Sequence, residues 1–275
     1  MSADRDILHF SHANGFPAGS YRVLLERLAV HYDVRTIERL AHQPDYPVTD
    51  NWHFLEQELI HYFEQHYHQP VIAVGHSLGG LLSYMVAYKR PDLVKGLVML
   101  DSPLLTPVEN AGFGLLKRLR LTDRFTPAGR TQGRRQEWPD RASAKEYFAD
   151  KSLMKRFDQR CLDDYVTSGT DFINPGEPDA GVRLSFDPHI EMKIYRTMPH
   201  ILRSDRPLKL PAAVIGGRQS DVFNRLHGAR MKSRVGMKVR WMPGSHMFPL
   251  EQPEATADTI HQLLGEMLCR HSARR

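Results

Sequence analysis

A serine hydroxyl is a weak nucleophile at neutral pH. It becomes reactive when a base sits within hydrogen-bond reach and a third group orients that base. Ser77 has the setting for such activation, in Gly75-His76-Ser77-Leu78-Gly79-Gly80 directly after the apolar run Val71-Ile72-Ala73-Val74. The β-branched run suits a buried strand and Leu78 to Lys89 suits a helix, so Ser77 falls on a strand-to-helix turn, a nucleophile elbow. On that turn the backbone is strained and the hydroxyl projects from the sheet edge. Glycines at 75 and 79 leave room for it, because a β-carbon at either place would crowd the neighbouring helix or strand. A loop serine in a doubly wound sheet is the plainer reading of the same motif.

The expected base is His246, in Pro243-Gly244-Ser245-His246-Met247-Phe248-Pro249-Leu250, a loop straight after the last strand-like run. The expected acid is Asp221, in Gly216-Gly217-Arg218-Gln219-Ser220-Asp221, again just beyond a buried strand. Asp101, which follows the run Gly96 to Leu100, is the alternative acid; its plainer role is to cap the loop that leads onward. His76 adjoins Ser77, but neighbours on a tight turn diverge, so it is expected to pack against the first loop. His61, His66 and His68 suggest a metal cluster only superficially: 61 and 66 fall on different helix faces and no His-Glu-x-x-His is present. No metal or organic cofactor is expected.

The elements that must hold these groups alternate in the first hundred residues. Strands are expected at Ile7 to Phe10 and Asp33 to Ile37, with helices at Tyr21 to Ala29 and Asp50 to Tyr67. Phe54, Leu55, Leu59, Tyr62 and Phe63 form the apolar stripe of the second helix, with Thr49 or Asp50 as its cap. With the elbow strand and Gly96 to Leu100, this order predicts a parallel sheet, and ligands bind at the carboxyl ends of such strands. The strand pattern resumes at Ala212 to Gly216 and Lys238 to Met242, before a closing helix over Pro253 to Leu268. Residues 1–103 and 207–275 thus read as the core. Between them, residues 104–206 read as an inserted helical cap, with a broken helix over Ala142 to Tyr165 and a loop over Thr170 to Gly181. Apolar residues of the insertion, among them Phe113, Tyr147, Tyr165, Tyr195 and Met198, are expected to divide between its own core and the roof of a pocket over Ser77.

The joint occurrence of Gly-His-Ser-Leu-Gly-Gly, Gly-Gly-Arg-Gln-Ser-Asp and Gly-Ser-His-Met-Phe-Pro-Leu-Glu-Gln-Pro, in the chain order Ser, Asp, His, resembles the α/β-hydrolase fold superfamily of the esterase, lipase and epoxide-hydrolase-like type. The resemblance covers residues 5–103 and 207–268 by pattern and the insertion by position only. It implies an α/β fold, a mostly parallel sheet flanked by helices, and hydrolysis of an ester-like bond through an acyl-enzyme. Serine at the elbow argues against the dehalogenase and epoxide-hydrolase branches, which use aspartate there. An oxyanion hole would take one N–H from Leu78 and one from the first loop, Ser11-His12-Ala13-Asn14-Gly15-Phe16-Pro17. That loop is similar to the family's His-Gly-x-Pro, with Gly15-Phe16-Pro17 at its last three positions, so Phe16 is the implied donor. The chain departs from the pattern in placing Asn14 before Gly15 and the histidine two residues upstream. Asn14 and the possible brace His12 are therefore secondary candidates. Thioesterases, carbon–carbon bond hydrolases and cofactor-free haloperoxidases share the triad, and a non-catalytic ligand-binding homologue shares the fold.

Composition bounds the setting. At 275 residues with 41% apolar and 25% charged content, the chain can bury one large core. A net charge of +5 is mild, and the densest basic run, Lys117 to Arg135, reads as solvated surface, so nucleic acid is not an expected partner. Cys161 and Cys269 are far apart and suggest no disulfide. Met1 to Asp6 carries no apolar signal core and no run is long enough to span a bilayer. The expectation is a cytoplasmic protein acting on a small acyl substrate, without stable membrane insertion.

Overall fold

Six strands form one parallel sheet. The computed structural model describes residues 5–131, 133–202 and 206–272; the residues before Arg5, where no signal core is expected, lie outside them. In chain order the first half comprises β1 (Ile7–Ser11), α1 (Arg22–Ala29), β2 (Asp33–Thr36), α2 (His53–His66), β3 (Val71–His76), α3 (Leu78–Lys89) and β4 (Val94–Leu100). The expected cap at Thr49 or Asp50 is not used: Asn51 and Trp52 turn left-handed, at φ 58° and 57°, and α2 starts after them.

The inner strands of the sheet are buried on both faces, and their alternation decides which helices each face receives. Ile72, Val74, Val98, Leu100, Ala213 and Ile215 share one apolar cluster with Leu24 and Leu28 of α1. Val71, Ala73, Leu97, Met99, Ala212 and Val214 share the other with Leu55 and Leu59 of α2 and with Leu82 and Val86 of α3.

After β4 comes the insertion: α4 (Pro107–Arg118), α5 (Thr122–Phe125), α6 (Ala128–Thr131), β5 (Glu137–Trp138), α7 (Arg141–Ala149), α8 (Gln159–Ser168), β6 (Thr170–Phe172), β7 (Val182–Leu184) and α9 (Pro188–Arg196). The helix expected over Ala142 to Tyr165 is two helices, α7 and α8. The stretch expected as loop, Thr170 to Gly181, instead opens with β6, whose antiparallel partner β7 follows the Pro-Gly turn; β5 pairs on the other side of β7. Such short strands show too few residues for an alternating pattern to emerge in the sequence. Trp138, Phe148, Phe157 and Tyr165 join the cluster that contains Phe16, Tyr21 and Leu24, so this part of the insertion shares its core with the sheet's α1 face.

The chain closes with β8 (Ala212–Gly217), α10 (Arg225–Arg230), β9 (Lys238–Met242), α11 (Phe248–Glu251) and α12 (Pro253–Ser272). Ile260, Leu263 and Leu264 of α12 cover the same face as α1. Strand order is β2-β1-β3-β4-β8-β9, every pairing parallel. The chain winds outward from β1 to β2 and then returns to β3 on the other side, so the order reverses between β1 and β3. Crevices open outside the carboxyl ends at such a point. Among the described residues no helix is long and apolar enough to cross a membrane.

Candidate active site

Ser77 stands immediately beyond β3 at φ 52° and ψ −112°, a backbone conformation that a non-glycine residue adopts at a cost. Its neighbours hold it there. The Ser77 N–H donates to the Leu100 carbonyl at 3.0 Å and the Gly79 N–H to the His12 carbonyl at 3.1 Å, tying the elbow to β4 and to the loop after β1. A β-carbon on Gly75 would lie 2.3 Å from the Gly79 oxygen, and one on Gly79 would lie 2.0 Å from the Ser11 oxygen. Both glycines are thus steric requirements of the turn.

His246 sits in the loop between β9 and α11, and its Nε2 lies 3.1 Å from Ser77 Oγ. Its Nδ1 is 2.7 Å from Asp101 Oδ2. A carboxylate only accepts, so Nδ1 carries the proton and Nε2 presents its lone pair to the serine hydroxyl. The structure therefore brings Asp101, not Asp221, to the histidine. Asp101 is fully buried; its Oδ1 accepts from the Gly217 N–H at 2.7 Å and its Oδ2 from the Ser220 hydroxyl at 2.5 Å.

The physical reason lies in the sheet. β4 and β8 are neighbours, so an acid leaving either strand emerges at the same edge. Asp101 follows β4 directly, at φ 46°, with its N–H on the Ile215 carbonyl. Asp221 is four residues past β8, exposed, and lines the mouth of the cavity next to Ser77. Gly217 and Ser220, of the motif expected to supply the acid, instead donate to Asp101 at the end of the adjacent strand.

The loop after β1 also departs from expectation. Ala13 to Phe16 is a tight turn in which Gly15, at φ 78°, sends the Phe16 N–H back to the Ala13 carbonyl at 3.1 Å. The Phe16 ring packs on Phe157 and Tyr165, away from the cavity that Asn14 lines with Ser77 and Leu78. The Phe16 amide is thus spent in the turn. The Asn14 N–H has no acceptor among the described residues, and Leu78, as the first residue of α3, has no intrahelical one. These two amides are the free donors on the residues flanking the hydroxyl. The Asn14 side chain donates to the Glu191 carbonyl at 3.1 Å, docking the loop on α9, while its Oδ1 is buried without a partner.

His12 does brace this loop. Its Nε2 accepts from the Leu40 N–H and its Nδ1 donates to the Ala13 carbonyl, both at 2.8 Å. Burial pushes its pKa down to about 4. His76 is buried as well: Nε2 donates to the His246 carbonyl at 2.9 Å, so Nδ1 accepts from the Tyr21 hydroxyl at 2.7 Å. Burial, reinforced by nearby His246, holds it well below the usual histidine range. It is a neutral strut under the histidine loop. Away from the site, burial lowers His9 to about 3 and raises the Glu58 carboxyl, which accepts from Ala41 N–H, to about 7.

The cavity beside Ser77 holds about 310 Å³. Leu81 and Trp52 come from the core, while Leu105, Asn110, Tyr195 and Met198 come from the insertion. Of the insertion's aromatic residues among those described, only Tyr195 lines it; Phe113, Tyr147 and Tyr165 do not. No group of three or more His, Cys, Asp or Glu side chains among the described residues could hold a metal ion.

A family model for the alpha/beta hydrolase family matches residues 10–259. Among curated proteins, the chain is 31% identical over 105 residues to the type I acyl-CoA thioesterases mpaH of Penicillium roqueforti (strain FM164) and Penicillium brevicompactum. The match covers 38% of this chain and only 22% of each relative. Among solved structures, E-2-(acetamidomethylene)succinate hydrolase superposes with a TM-score of 0.73 at 20% identity, over 96% of this chain and 92% of that one. The peroxisomal alpha-beta-hydrolase Lpx1 from Saccharomyces cerevisiae superposes with a TM-score of 0.71 at 16% identity, over 98% and 79%. Those two likenesses concern the fold. The family model spans nearly the whole chain, from β1 into α12, and takes in both the elbow and the histidine loop, so the protein belongs to the alpha/beta hydrolase family.

Proposed function

We propose that the protein is a serine hydrolase that cleaves a carboxylic ester or thioester through an acyl-enzyme. The observation that carries this reading is the Ser77–His246–Asp101 relay, with Nε2 3.1 Å from the hydroxyl and Nδ1 2.7 Å from a buried carboxylate. His246 takes the Ser77 proton as Oγ attacks the acyl carbon, and Asp101 stabilises the imidazolium. The Asn14 and Leu78 amides receive the oxyanion. His246 returns the proton to the leaving group and then activates water, which releases the acid. The insertion acts as a cap in this scheme, since Leu105, Tyr195 and Met198 close a cavity whose walls favour an apolar acyl group.

A fluorophosphonate probe tests the reading. Labelling is expected at Ser77, and Ser77→Ala is expected to abolish both labelling and ester turnover while the fold persists. Labelling elsewhere, or turnover that survives the substitution, refutes it. The likeness to acyl-CoA thioesterases over 105 residues favours the thioester. An oxygen ester and a thioester of the same acyl group, compared by kcat/KM, separate the two.

A further inference from the structure

Asp221, relieved of the triad, lies at the mouth of the catalytic cavity with Glu109 from the first turn of α4. Two carboxylates thus border a site beside Ser77 whose lining contains no lysine or arginine among the described residues, although the chain as a whole carries a charge of +5. Arg218 and Arg225 line a separate cleft that shares only Asn224 with this cavity.

Glu109 is held by Thr106 and by His227. His227, buried beside it, accepts the Asn224 N–H at Nδ1 and so approaches Glu109 through a neutral ring, donating from Nε2 at 3.0 Å. Burial works against the ionised Glu109, but the bonds from Thr106 and His227 outweigh it and hold the carboxyl below its usual range. Asp221 has no hydrogen-bond or ion-pair partner among the described residues. The charged side chains that border the cavity are thus of one sign.

We infer that the substrate carries a cationic group, such as a substituted ammonium, which this cavity recognises through Asp221 and Glu109, and that substrates with a carboxylate at the same end are rejected. This names a substrate class for the site and rests on the hydrolase reading above. Recognition at a half-wet rim is worth roughly three- to tenfold per carboxylate and is weakened by salt.

The test uses isosteres that differ only in charge. Two ester series carry a trimethylammonium, a tert-butyl or a carboxylate terminus, one series on the acyl side and one on the alcohol side. In one of the series the trimethylammonium ester is expected to exceed its tert-butyl isostere in kcat/KM by roughly three- to tenfold at low salt, and the carboxylate ester to fall below both. Asp221→Asn and Glu109→Gln should each bring the cation-to-neutral ratio towards one. Glutamine keeps an oxygen for the Thr106 N–H that caps α4, so the helix start survives. A ratio of one or less in both series, or a ratio that neither substitution moves, overturns the proposal. Calorimetric binding of the same esters to Ser77→Ala reads the ratio without turnover. Loss of the hydrolase reading and loss of the charge preference are therefore separate results.

Discussion

Replacing Asp101 by asparagine tests the assignment of the acid with almost no change of shape. Asp101 Oδ1 accepts the Gly217 N–H at 2.7 Å, so an asparagine must place its own oxygen there. Its NH₂ then faces Ser220 and, 2.7 Å away, His246 Nδ1. A donor in that place forces Nδ1 to accept, which moves the ring proton to Nε2. In that tautomer His246 cannot take a proton from Ser77. The carboxylate's attraction for the imidazolium is lost as well. For charge centres about 4 Å apart at an effective dielectric near 20 that attraction is about 4 kcal/mol, or about three decades in rate. The tautomer adds to this, so Asp101→Asn should lower kcat by about 10³-fold or more with KM little changed. Hydrolysis of an activated aryl ester, with circular dichroism as the folding control, reads this. Asp221→Asn, on the same ester, should stay within about tenfold of the parent, as befits a rim charge. The reasoning is refuted if Asp101→Asn stays within tenfold of the parent while Asp221→Asn collapses.

Buried His9, His12 and His76 have folded-state pKa values below the unfolded 6.5, so the unfolded chain takes up more protons and stability drains as pH falls through that value; Glu58, raised to about 7 from 4.5, opposes them between those limits. At about 1.4 kcal/mol per unit and group the net loss from pH 7 to 5 is about 3 kcal/mol, larger in Glu58→Gln, and urea titrations showing stability flat or rising on acidification would contradict it. Gly79→Ala places a β-carbon 2.0 Å from the Ser11 carbonyl oxygen, so the elbow or the loop after β1 must move. A loss of about 3 kcal/mol in chemical denaturation is expected, together with loss of fluorophosphonate labelling, and a variant as stable and as reactive as the parent would count against the packing described.

Much of this protein is decided locally and is therefore legible in its sequence. The β-branched runs, the glycines around Ser77 and the histidine loop after the last strand constrain backbone geometry within a few residues of themselves. The sheet, the elbow and the pairing of Ser77 with His246 could be expected on that basis. The acid could not be chosen so. Asp101 and Asp221 both follow sheet strands, and only the adjacency of β4 and β8 shows that Asp101 emerges under His246 while residues 217 and 220 become its hydrogen-bond donors. The signal for it was present, since an aspartate directly after a buried strand is closer to the sheet edge than one four residues beyond. The Phe16 amide was likewise misplaced by matching letters: the positive φ of Gly15 closes a turn on it and leaves Asn14 facing the cavity. Sequence spacing sets which groups the chain possesses and roughly which edge they reach. Which of two similar groups touches a third depends on distances between strands that are far apart in the chain, and only the folded sheet sets those.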